Sequence, residues 1–114
     1  MSRSIDSISS TDFVKALQAA GPFSEHELKL FRFHYSAEGH TATARELADK
    51  VGWKSFASVN AHYGKLAGRV ARELGIEPDY NILALVTTDQ PHGSECRFIL
   101  RPAVVEALRR LAIV

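Results

Sequence analysis

Five histidines and one cysteine are the side chains in this 114-residue sequence best suited to hold a metal. His34 and His40 stand six apart across a predicted helix end, and no Cys or carboxylate joins them at zinc spacing. His26 falls near a helix start and His92 in a loop, so isolated surface or edge positions account for the histidines. Cys96 lies in an apolar run, where a free thiol behaves as a small buried hydrophobe. Alone, it excludes an intramolecular disulfide. No Gly-rich phosphate loop, G-x-S-x-G turn or carboxylate pair with a cleft is present. The expectation is a protein that is no enzyme and carries no metal or cofactor.

The chemistry that remains is electrostatic. Net charge is only +1, but it is unevenly spread. Lys54, Lys65, Arg69 and Arg72 against Glu73 make the segment 54–74 4 − 1 = +3, which leaves −2 for the rest. A locally basic helix on a near-neutral domain is a common arrangement in DNA readers and also a common solvated face.

Within that segment Val59, Tyr63, Leu66, Val70 and Leu74 recur at helical spacing and form a core face, with the Tyr63 hydroxyl reaching its edge. A second flank carries Ser58, His62, Lys65, Arg69 and Arg72, donors suited to phosphates and base edges. The third flank, Ala57, Asn60, Gly64, Ala67, Gly68 and Ala71, is nearly all small. Two glycines inside a helix cost roughly 1 kcal/mol each against alanine. Close packing against a neighbouring helix is the plainer reading of them; close approach to a phosphate chain is the functional one. Asn60 on that flank either caps or bridges helices or pairs with an adenine edge. Just upstream, Trp53 lids the core or meets a base, while Lys54 and Ser55 stand where a helix N-terminus receives a backbone phosphate.

The elements that must position these residues follow from local signals. Residues 1–9 are Ser-rich and predict a disordered tail, leaving 10–114 as a single domain. A helix over 11–20 ends at Gly21-Pro22. Ser24 with Glu27 is a capping box opening a second helix, with Leu28, Phe31 and Tyr35 on one face. His40–Thr43 suits one short strand. Thr43 with Glu46 is a second capping box, starting a short helix closed by Gly52. Ser55 caps a fourth helix to Leu74, stopped by Gly75, Ile76 and Pro78.

After Tyr80 the period changes. Ile82–Val86 and Cys96–Leu100 are β-type runs around a turn-rich loop, a hairpin whose Ile82, Val86, Phe98 and Leu100 should pack on Val59, Leu66 and Val70. Asp89 and Glu95 offset Arg97 there, so its tip offers His92 and glycine backbone. Pro102 opens a last helix with Val104, Val105, Leu108 and Leu111 inward. The expected fold is mainly α with a small antiparallel sheet, a winged helix-turn-helix with an extra helix at each end.

TATARELADKVGWKSFASVNAHYGKLAGRVARELG, with the hairpin and LRPAVVEALRRL, resembles winged-helix domains found beside HNH-type nucleases in bacterial modification-dependent restriction proteins. It is similar also to small stand-alone bacterial proteins of unknown role. The likeness covers roughly residues 40–114 and rests on GWKSF…VN..YGKL. It implies a reader of double-stranded DNA, in some relatives methylated adenine, with Trp53, Lys54, Ser55, Ser58, Asn60 and His62 as contacts. No nuclease motif is present, so any cutting would need a partner nuclease.

The sequence therefore predicts a DNA-binding module, either the targeting part of a defence system or a small transcriptional regulator. Its contacts would be those six residues with Lys65, Arg69, Arg72 and Arg97. The alternative is a protein-interaction domain of the same fold. No apolar run approaches the ~20 residues of a membrane span and no signal-peptide core is present, which predicts a cytoplasmic protein without membrane contact.

Overall fold

Two capping boxes organise the first half of the chain. The computed structural model describes residues 4–114. Helix α1 is Ser10–Ala20, capped by Ser9, whose hydroxyl accepts from the Asp12 amide. Helix α2, Glu25–Ser36, and helix α3, Ala44–Val51, begin with reciprocal boxes, Ser24 with Glu27 and Thr43 with Glu46. Gly52 then takes a left-handed backbone, φ 89°, ending α3. Four residues later α4 starts, running Phe56–Leu74 and closed by left-handed Gly75. Helix α5 is Pro102–Arg110.

Strand β1, Thr41–Thr43, precedes α3, and β2, Val86–Asp89, and β3, Arg97–Leu100, form the wing. The antiparallel sheet runs β1-β3-β2. Thr41 faces Ile99, Val86 faces Leu100 and Asp89 faces Arg97. Helix α1 packs on α4 and α5, while α3 packs on α2 and α4. This is a winged helix-turn-helix with an added helix at each end. No helix among the described residues is long and apolar enough to cross a membrane.

The inward face of α4 is as expected, with Val59, Tyr63, Leu66, Val70 and Leu74 all at most 5% exposed. Val86, Phe98 and Leu100 join them in one core, and Ile82 packs against it half-buried.

Three expectations need correction. The tail assigned to residues 1–9 falls partly outside the described residues; from Ile5 to Ser7 the chain makes a 3-10 turn and Ile8 is buried. Arg101 supports this turn, bonding both the Leu83 carbonyl (3.0 Å) and the Asp6 carboxylate (2.8 Å). The run Ile82–Val86 is no strand: Asn81–Ala84 is a 3-10 turn and pairing begins only at Val86. Ala84, Leu85 and Val86 are all buried, which a half-exposed strand with alternating faces would not allow. Helix α2 is turned from the expected face, burying Glu27, Leu30, Phe31 and His34 while Leu28 and Tyr35 are only half-buried.

Candidate nucleic-acid interface

The α3–turn–α4 corner presents the expected residues in three different situations. Lys54, Lys65 and Arg72 are exposed, and no ion pair joins them to an acid among the described residues. Ala61, Lys65 and Arg72 follow spacings of +4 and +7, so they form one line along the exposed side of α4, while Lys54 stands in the turn before the helix. Ser55 stands at the head of that line as the N-cap, its Oγ accepting from the Ala57 amide at 3.0 Å. Its own O–H remains a donor, beside helix N–H groups that favour an anion.

Arg69 does not belong to this line. Its Nη1 and Nη2 donate to the two oxygens of Glu27 at 2.7 and 3.2 Å, and its Nε donates to the Ala20 carbonyl at 3.2 Å. The guanidinium also lies 5.9 Å from the Phe23 ring centroid. Burial raises the pKa of the Glu27 carboxyl, but bonds from Arg69 and Ser24 outweigh it and hold the value below the ordinary one. Arg69 thus ties α4 to the start of α2, with its fork filled.

Arg97 is also engaged, paired across the hairpin with Asp89. Glu95 at the base of the wing loop pairs with Arg45 of α3 at 2.7 Å. The wing therefore holds its charges in internal pairs, as the offset of Arg97 by Asp89 and Glu95 suggested.

Trp53 is a half-buried lid. Its ring meets His62 at 4.8 Å, tilted 33°, and His26 at 5.5 Å, so imidazoles already cover it on two sides. His62 is exposed but stacked there, and Ser58 is half-buried. Asn60 is exposed and takes no hydrogen bond among the described residues, so its amide neither caps nor bridges a helix. The small flank divides: Ala67 and Ala71 are core, Gly68 lies against Asn81, and Gly64 has open space where a Cβ would stand.

Two features escaped the sequence reading. His34 is neither a surface nor an edge residue but fully buried, with Nε2 at 2.9 Å from the Phe98 carbonyl and Nδ1 at 2.7 Å from the Tyr63 hydroxyl. A carbonyl only accepts, so Nε2 carries the proton and Nδ1 accepts from Tyr63. Burial lowers the His34 pKa to about 4, keeping it neutral, and drives that of Tyr63 far upward. The hydroxyl expected at the edge of the core is thus inside it, and the triad joins α2, α4 and β3. The 27/30/31/34 spacing of α2 was the signal for this burial. The other missed feature is aromatic exposure: Phe56, 49% exposed under the Arg45 guanidinium, and Tyr80, 73% exposed beside α4.

Among the described residues no group of three or more His, Cys, Asp or Glu is placed to hold a metal. No family model matches the chain, and no curated protein and no solved structure matches it either.

Proposed function

We propose that this domain binds double-stranded DNA through the outer line of α4, without catalysis of its own. The observation that carries the reading is that Lys65 and Arg72, on one exposed side of α4, and Lys54, in the turn before it, have no ion pair among the described residues, while Arg45, Arg69, Arg97 and Arg101 each have one and Arg109 and Arg110 share Glu106. Cations left free to release phosphate counterions supply affinity; those already neutralised in the fold supply little. Ser55 and the first turn of α4 receive one phosphate, and Lys65 and Arg72 follow the backbone. If the resemblance of GWKSF…VN..YGKL to winged helices beside HNH-type nucleases extends to role, the domain is a targeting module for plain or methylated DNA; a small regulator is the other form of the same reading.

The test is a titration against plain and adenine-methylated duplexes over a range of salt. Affinity that falls linearly with log salt, with a slope of about −2 to −3 for two or three phosphates, supports the reading. Absence of binding at low salt sinks it. The exposure of Phe56 beside Ala57 and Ala61 favours a second reading, a protein-docking helix, which would survive that negative result.

A further inference from the structure

Beside the cationic line, one residue round α4, lies a recess of about 330 Å³. Asn60 and Gly64 form its helical wall, Tyr80 and Asn81 its opposite wall, and Ile82 and Phe98 add apolar surface. From these features we infer that the recess receives a single unpaired nucleobase from a bound DNA strand, an inference that rests on the DNA-binding reading above.

Three kinds of surface meet there, each matched to a base. Tyr80 offers an aromatic ring that the fold leaves 73% exposed, a stacking platform indifferent to base identity. Asn60 brings a carboxamide with donors and an acceptor that takes no hydrogen bond among the described residues, while the Asn81 amide lies against Gly68, one turn along. Gly64 leaves the wall without a side chain: nothing lies within 4 Å of the position its Cβ would take. The volume is at the small end of ligand clefts, roughly 300–1,000 Å³, which suits one planar ring system.

The commitment to a strand rather than a free nucleotide comes from the neighbours. Ala61 and Lys65 directly follow Asn60 and Gly64 in sequence. A phosphate held at Lys65 therefore lies next to the recess its base would enter. Entry from an intact duplex costs a few kcal/mol of unstacking and unpairing, and an already unpaired base avoids most of that. Binding should accordingly favour duplexes that contain one.

The experiment compares a fully paired duplex with the same duplex carrying one bulged 2-aminopurine, whose fluorescence reports stacking. The wild-type chain should bind the bulged duplex about 10-fold more tightly and quench its fluorescence. Tyr80→Ala should abolish that preference while leaving paired-duplex affinity unchanged; Tyr80 is exposed, so its removal spares the core, and a circular dichroism melt checks the fold. Gly64→Val, which fills the recess, should do the same. Lys65→Glu should weaken both duplexes alike and keep the preference. Equal binding of the two duplexes by the wild-type chain would overturn the recess while leaving the DNA-binding reading intact. So would an equal loss on both with Tyr80→Ala. Free dAMP bound as tightly as the bulged duplex would overturn the assignment to a strand. Failure to bind either duplex would remove both readings together.

Discussion

The outer line of α4 and the wing carry similar residues and treat them oppositely. In the wing, antiparallel register sets Arg97 directly opposite Asp89, and the fold brings Glu95 to Arg45. Directly opposed charges on a hairpin meet with no further ordering. Within α4, a partner for Lys65 would stand three or four residues away, where the sequence has Ala61, His62, Gly68 and Arg69, and no distant acid pairs with it among the described residues. For Arg72 the same positions hold Gly68, Arg69, Gly75 and Ile76. Surface pairs contribute little stability, at most about 1 kcal/mol, so the contrast is one of availability. Charge composition already favours α4, since Asp89 and Glu95 offset Arg97 in the wing. Pairing sharpens the separation.

The strongest way to break the comparison is to disturb the joint that sets the wing against the helix, which is the His34 triad. His34 is neutral in the fold, with its pKa lowered from 6.5 to about 4, and protonated more readily when unfolded. Between those values the unfolded chain binds more protons, so stability is full above about pH 6.5 and falls as pH drops toward 4. The loss reaches about 3 kcal/mol. Urea denaturation at a series of pH values measures it, and a folded His34→Gln variant should lack that part of the slope. An equal slope in the variant would deny His34 this role.

Arg69 comes next in expected effect. Arg69→Ala leaves the mostly buried Glu27 carboxylate unpaired and should cost about 1–2 kcal/mol, less than a fully buried pair because the guanidinium is partly solvated. DNA affinity per folded molecule should not change. A variant of full stability and weakened binding would return Arg69 to the interface.

The comparison itself is sharpened by salt dependence. Lys65→Ala and Arg72→Ala should each flatten the slope of log affinity against log salt by about one unit. Arg97→Ala should leave it unaltered, because Asp89 already neutralises that charge. A similar flattening by Arg97→Ala would erase the distinction between wing and helix.

The smallest effect separates two positions on one flank of α4. Gly64→Ala enters open space and should raise stability by up to about 1 kcal/mol through helix propensity. Gly68→Ala should gain less, since its Cβ would come within 2.9 Å of the Asn81 Nδ2 and that amide must move. Equal gains on thermal melting would show that Asn81 yields freely.

Helix starts and stops were legible from the sequence because each depends on residues within four positions. Ser24 with Glu27, Thr43 with Glu46, and the glycines at 52 and 75 carry their own geometry. So does the core face of α4, whose spacing alone selects Val59, Tyr63, Leu66, Val70 and Leu74. The helix-turn-helix and its small sheet follow from those signals in order. What tertiary structure alone decided is which polar groups are already occupied. Arg69 meets Glu27 across 42 positions, and His34 meets Tyr63 across 29 and Phe98 across 64. The same holds for Tyr80, left exposed just before the 3-10 turn. A local pattern fixes backbone conformation, since the competing hydrogen bonds lie within a turn. Whether a cation is free or filled depends on which distant segment the packed core brings within reach of it.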